Sequence, residues 1–249
     1  MKKILIVLTV LLSISGLAQN DALFDQGKEL YKAEKYQDAL DSWMKILERE
    51  QHSASLYFNI ANAHYKLNNI GPSVYYYEKA LQLDPNHSDI KNNLAFAENA
   101  RIDVIEPLPQ TVFKRWYQRI SGIMSFDGWA ATATVFSILF VLLFLAYYFS
   151  VSERRKRLFF TTAIASICVV FATLVLAFKT YDDAQRYRPA IIFAEETEVR
   201  SEPTMGSETA FLLHEGTKVM IRDREGDWFR ISLADGKDGW IPASELKEL

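Results

Sequence analysis

The chain has 249 residues, with 28 Lys or Arg against 31 Asp or Glu, a formal net charge of −3. That balance leaves no cationic footprint for nucleic acid, which is excluded as a partner. The lone cysteine, Cys168, rules out a disulfide framework, and the length allows two small domains beside any further segment.

The N-terminus begins Met1-Lys2-Lys3, followed by the apolar run Ile4–Leu12. Gly16-Leu17-Ala18 then places small residues at −3 and −1 of a cleavage point before Gln19. Residues 1–18 therefore read as a secretory signal peptide. An uncleaved anchor helix is the alternative, and it exports the following segment equally well. No Cys follows the cleavage point, so lipoprotein processing is not indicated.

Residues 19–103 repeat with themselves. Tyr31 matches Tyr65 (65 − 31 = 34), and Lys32/Lys66, Trp43/Tyr77 and Leu47/Leu81 share that spacing. Small residues at Gly27, Ala39, Ala61 and Ser73 let paired helices approach closely. The Lys66-Leu67-Asn68-Asn69 turn separates two helical patterns, and Asp84-Pro85 ends the second, because proline cannot continue a helix. The first copy has Glu50-Gln51 at its end, without a proline. A third helix, Ser88–Ala100, starts like another copy and then stops, as a capping helix would.

This pattern resembles the tetratricopeptide repeat, whose period is 34 residues. The resemblance implies an all-α solenoid with a concave groove, lined by the first helix of each repeat, that binds a peptide or a partner's tail. By position the groove candidates are Lys28, Lys32, Asn59, Asn62, Lys66 and Asn93, a set suited to an acidic or carboxylate-bearing ligand. Relatives that clamp a C-terminal carboxylate use a Lys/Asn/Arg set. Here Phe24 and Asp89 occupy two of those places.

Residues 104–109 (Val-Ile-Glu-Pro-Leu-Pro) break the helical pattern and read as a linker. Within 104–128, Val112, Phe113, Trp116, Ile120, Ile123 and Met124 then recur at helical spacing. Lys114, Arg115 and Arg119 fall mostly elsewhere on the wheel. The stretch predicts an amphipathic helix lying in a membrane interface, the alternative being one more packing helix of the repeats.

Two uncharged apolar runs follow, 129–149 and 158–178. About 20 helical residues cross a hydrocarbon core of about 30 Å, so each is long enough to span. The loop between them, 150–157, holds Arg154, Arg155, Lys156 and Arg157, which places it on the cytoplasmic side. Together with the signal peptide, this expects a hairpin in a membrane, with both flanking regions on the exported side. Neither run contains a charged residue, His, Asn or Gln, so an ion path is not expected and the hairpin reads as an anchor.

Residues 179–188 read as a polar tether. From 189 to 249, short alternating runs are separated by turn residues, including Gly226-Asp227 and Asp235-Gly236. Five short strands closing into a small all-β barrel are expected. Val199-Arg200-Ser201-Glu202-Pro203, Asp227-Trp228-Phe229-Arg230 and Gly239-Trp240-Ile241-Pro242 resemble bacterial SH3 (SH3b) domains. That resemblance implies a protein partner or a cell-wall peptide as ligand, with Trp228 and Trp240 as candidate contacts or, alternatively, as core and rim.

No histidine pair has metal-ligand spacing, and no nucleophile elbow or phosphate loop occurs. The chain is read as a non-enzyme without metal or cofactor. The whole order is signal peptide, tetratricopeptide repeats, hairpin and SH3b domain, a multi-domain membrane protein. It resembles the BatE-like family of the Bacteroides aerotolerance (Bat) operons. The resemblance implies an envelope scaffold linked to stress or oxygen tolerance, with von Willebrand factor A-domain membrane proteins and a MoxR-type ATPase system as partners. The alternative is a sensor whose SH3b domain binds peptidoglycan.

Overall fold

The computed structural model describes residues 19–249, so the expected signal peptide lies outside the described residues. Two compact units result. One comprises the residues up to Pro107 together with Arg188–Leu249, and the other is Leu108–Tyr187.

The first unit opens with five helices: α1 (19–32), α2 (Tyr36–Leu47), α3 (Ala54–Lys66), α4 (Ile70–Leu83) and α5 (Ser88–Asn99). Their buried residues obey the period seen in the sequence. Trp43 and Tyr77, Leu40 and Val74, Ile60 and Leu94, and Ala63 and Ala97 are all core pairs 34 positions apart. The turns repeat too, with positive φ at Glu34 and at Asn68. Gly27 is needed for close approach, since a Cβ there would stand 2.2 Å from the Trp43 indole nitrogen, which donates to the Phe24 carbonyl at 3.1 Å. The next repeat has Ala61 at that place opposite the slimmer Tyr77. Ser53 caps α3 by accepting from the Leu56 amide at 3.1 Å.

The C-terminal region of the same unit is one antiparallel sheet. Its strands are β1 (Pro189–Ile192), β2 (Glu196–Arg200), β3 (Thr209–His214), β4 (Lys218–Glu225), β5 (Trp228–Ser232), β6 (Asp238–Pro242) and β7 (Leu246–Glu248). The order is β3-β2-β6-β5-β4-β1-β7. The expected five-stranded barrel is thus corrected to seven strands in a sheet that does not close. The sheet ends at β3 and β7, and only Arg200↔Trp240 registers β2 against β6. Val199, Ile221, Ile231 and Ile241 point to one face and form its core with Ala190, Ile192, Leu213 and Val219. Gly239 allows β6 to pass under β2, because a Cβ there would lie 2.6 Å from Val199 Cγ1.

All four residues of β1 are buried. The pleat explains this: Ala190 and Ile192 enter the sheet core, while Ile191 faces the other way and joins Ile70, Val74, Tyr77 and Ile90 in the helical core. Phe193 and Leu249 pack on the same helical cluster. The last apolar face of the array is therefore covered by α5 and by a strand of the C-terminal domain, not by α5 alone. The segment read as a linker also docks, with Ile105 packing on the sheet core.

The second unit contains α6 (Val112–Ser121), α7 (Phe126–Phe149) and α8 (Glu153–Arg186). The helix α8 runs through 179–186, so most of the expected tether is helical, as are residues 153–157 of the expected loop. Both α7 and α8 are long and apolar enough to cross a membrane. They pack along a seam of small residues, with Ala133, Ala163, Ser166 and Thr173 buried. Ser166 donates across it to the Phe136 carbonyl at 2.8 Å. Thr132, Thr134, Ser137, Thr173 and Thr180 bond carbonyls of their own helices, so no hydroxyl among them faces outward unsatisfied. Large side chains such as Val135, Leu142 and Phe171 stay exposed.

Candidate functional site

Lys28, Lys32 and Asn59 recur 34 positions later as Asn62, Lys66 and Asn93, and the structure separates the two sets. The later set lines one cleft of about 180 Å³, whose walls are Tyr31, Tyr65, Tyr77 and Phe96. Lys28, Lys32 and Asn59 are not among its lining residues. Lys28 is paired with Asp25 and Lys32 with Glu29, each at 2.7 Å on α1.

Within the cleft, Asn62 Oδ1 accepts from the Tyr77 hydroxyl at 2.6 Å and from Asn93 Nδ2 at 2.8 Å. Burial raises the Tyr77 pKa, so the hydroxyl keeps its proton and acts as the donor. These two bonds use the Asn62 oxygen and orient its amide NH₂ as a donor. Asn93 retains its side-chain oxygen as an acceptor. Lys66 forms no salt bridge with the described residues, and its exposed ammonium completes the polar set. Phe96, at 63% exposure, and Tyr65 form an aromatic lip. The arrangement suits one apolar side chain flanked by a backbone or carboxylate oxygen.

The two tryptophans lie off the sheet core. Along β5, Phe229 and Ile231 face inward while Trp228 and Arg230 face out; along β6, Gly239 and Ile241 face inward while Trp240 and Pro242 face out. Register pairs Trp228 with Pro242 and Arg230 with Trp240, and Arg200 of β2 lies opposite Trp240 on its other side. Trp228, Trp240 and the two arginines thus share one outer face, with both rings half-buried. Arg230 is held by Asp238 at 3.0 Å and Arg200 donates to the Ser207 carbonyl at 2.8 Å.

A third constellation escaped the sequence reading. Asp103, just past α5, accepts through Oδ2 from the His214 amide and the Thr217 hydroxyl, each at 2.7 Å, and its Oδ1 lies 2.8 Å from His214 Nδ1. Burial would raise the Asp103 carboxyl, but the bonds from Thr217 and His214 outweigh it and hold it below its usual value. His214 is raised, first by its bond to Asp103, with Glu196 3.6 Å from Nε2 adding to the effect. Nearby, Glu215 Oε2 accepts from the Gly71 amide at 2.8 Å. Asn69 leaves the α4 N-terminus without a side-chain cap, so a carboxylate from the other domain supplies it. Gly71 makes room: a Cβ there would stand 2.9 Å from the Ile192 carbonyl oxygen. Lys218 reaches Glu78 at 2.6 Å, and Tyr75 meets Phe193 edge-on with centroids 5.4 Å apart.

His64 is a packing residue. Its ring stacks on Tyr76 at 5.7 Å, and burial, aided by the charge of Lys247, pushes it down to about 4. The imidazole is therefore neutral at pH 7. Among the described residues, no three His, Cys, Asp or Glu side chains converge on a common metal-sized point.

Comparison with known families assigns two parts of the chain. Residues 54–87, spanning α3 and α4, match the tetratricopeptide repeat, and residues 195–247 match the bacterial SH3 domain. No curated protein matches the chain. The chain thus carries two kinds of module that typically bind other molecules and do not catalyse, joined through the Asp103–His214 contact.

Proposed function

We propose that this protein is a non-catalytic scaffold of the bacterial inner membrane that holds a segment of a partner protein in the cleft between α1, α3 and α5. The observation that carries this reading is the cleft itself. It combines an unpaired Lys66, an oriented Asn62 amide and an aromatic lip in the first helices of a repeat array. The mutual docking of array and sheet adds support for the hairpin topology. Two domains that contact each other must lie on one side of a membrane, and an even number of crossings returns the chain to that side. The expected signal peptide and the basic loop favour the exported side, which the family resemblance reads as the periplasm. The resemblance to the Bacteroides aerotolerance operon proteins points to von Willebrand factor A-domain membrane proteins as the partners, in a complex served by a MoxR-type ATPase.

The test is a photo-crosslinking amino acid in place of Phe96 in intact cells. The expected product is an adduct with a von Willebrand factor A-domain membrane protein that Lys66→Glu reduces about tenfold or more, the scale of a lost charge-assisted contact. An adduct indifferent to Lys66→Glu removes the cleft from the interaction.

The outer face of the sheet favours a second reading, a cell-wall sensor. Trp228 and Trp240 with Arg200 and Arg230 offer stacking rings beside donors, a surface suited to peptidoglycan. Retention of the detergent-solubilised full chain on insoluble peptidoglycan, lost in Trp240→Ala, would favour it over the adaptor.

A further inference from the structure

The helix α6 carries no buried residue. Val112, Phe113 and Trp116 are strongly exposed, Phe113 at 84%, and with Ile120 they form one apolar arc at 100° per residue. Arg119 and then Arg115 flank that arc on one side, Tyr117 flanks it on the other, and Lys114 lies on the far, polar face. The helix contains no acidic residue, and none of its three cations forms a salt bridge with the described residues. An isolated apolar arc in water costs free energy, and the two arginines along its edge, with no acid on the helix, specify the charge of whatever covers it.

Three contacts fix where α6 stands along the hairpin. The Tyr117 hydroxyl donates to Asp183 Oδ2 at 2.6 Å, and Lys179 lies 5.6 Å from the Tyr117 ring centre. Trp129 Nε1 donates to the Ser121 carbonyl at 3.3 Å. The helix is therefore tied to α7 near Asp127 and to α8 at Lys179–Asp183. These are the first charges beyond the two apolar runs, where a bilayer spanned by them would end.

We propose that α6 is a lipid-reading helix that lies in the headgroup layer, with its apolar arc in the acyl boundary and Arg119 and Arg115 on the phosphates of anionic lipids, Lys114 adding positive charge from the outer face. This rests on the membrane-spanning reading of α7 and α8 and deepens it by assigning a lipid class. It also accounts for the three cations on the side opposite the basic loop, against the usual asymmetry. They are held there by binding, and each cation near an anionic surface adds to the attraction. The Tyr117–Asp183 bond orients the helix so that the arc faces the bilayer.

The test uses the full chain with Cys168→Ser, reconstituted in nanodiscs of phosphatidylcholine alone or mixed with phosphatidylglycerol. A nitroxide on Phe113→Cys reports collisions with oxygen, which partitions into lipid, and with a water-soluble nickel chelate. A second nitroxide on Leu139→Cys reports on the hairpin. The expected result is a lipid-exposed label at 139 in both membranes. At 113 the label should be lipid-exposed in the anionic membrane and markedly less so in the zwitterionic one. The triple change K114E/R115E/R119E should abolish that difference. A label at 139 open to the chelate overturns the hairpin and this proposal together. A protected 139 with a chelate-accessible 113 in both membranes overturns this proposal and leaves the hairpin standing. Lipid exposure at 113 that ignores both membrane charge and the triple change overturns the anionic assignment. Shielding of 113 from both reagents shows that protein covers the arc and overturns the lipid assignment.

Discussion

The joint between the helical array and the sheet differs in kind from the hairpin. At the joint, apolar cover from Ile191 is surrounded by polar groups with named partners: Asp103 with His214 and Thr217, Glu215 with the Gly71 amide, Lys218 with Glu78. Along α7 and α8, the seam is made of small residues and the outer surface of large apolar ones, with threonine hydroxyls satisfied inside their own helices and Ser166 bonded across the seam. A joint in water needs polar partners, because each desolvated donor or acceptor left alone costs about 1–3 kcal/mol. A hairpin in hydrocarbon needs only length, apolarity and internal satisfaction of its backbone. The first arrangement specifies a partner residue by residue; the second is what the proposed membrane hairpin requires.

That contrast predicts unequal sensitivity to truncation. Ile191→Ala should destabilise the first unit by about 2–5 kcal/mol, the usual cost of an aliphatic truncation at a fully buried site. Leu142→Ala, at a position exposed along α7, should leave the same unfolding transition unmoved. Denaturant titration of the full chain in mild detergent, followed by tryptophan fluorescence, measures both. Equal effects would erase the distinction.

Asp103→Ala tests the polar half of the joint. One carboxylate satisfies three donors, so its removal leaves the Thr217 hydroxyl and the His214 amide without that acceptor. The expected loss is about 1–3 kcal/mol, with cleavage by a protease in 101–107 appearing at lower denaturant than in the parent. Glu78→Gln, which touches a partly exposed pair, should cost about 1 kcal/mol or less.

The array was legible in the sequence because its period is local: Trp43 and Tyr77 announce equivalent places without knowledge of anything else. Pairing of β4 with β5 and of β5 with β6 was legible from the Gly226-Asp227 and Asp235-Gly236 turns and from alternation, whereas the outer-face placement of Trp228 and Trp240 emerged only with Phe229 and Ile241 seen packed inside. The joint was not legible. Glu215 lies 144 positions from Gly71, and His214 lies 111 from Asp103, so no periodicity links them. The signals were present but ambiguous. Gly71 near the start of a helix and four consecutive apolar residues in β1 both mark close approach on two sides, and either can be explained without a partner domain. Of the six groove candidates, Asn62, Lys66 and Asn93 gather in the cleft because the first repeat spends Lys28 and Lys32 on acids within its own helix, three positions away.

The smallest expected effect is the pH dependence of the joint, and its sign follows from the two partners. His214 has its pKa raised in the docked state by its bond to Asp103, so it stabilises docking fully below the free value of about 6.5. That contribution is lost as the pH rises through the raised value. Asp103 has its pKa lowered, so its contribution is present above its free value and lost as the pH falls through the lowered one. Glu196 faces the same imidazole and strengthens the first limb. Docking should therefore be firmest in mildly acidic solution and loosen as the pH rises through the raised His214 value, a shift small enough to need a comparison. Unfolding midpoints of the full chain at a series of pH values supply it. His214→Gln keeps a side chain of similar reach without a titrating group, and it should flatten the alkaline limb while leaving the acid limb set by Asp103. If the limb persists in His214→Gln, another group titrates there and the imidazole is only a packing element of the joint.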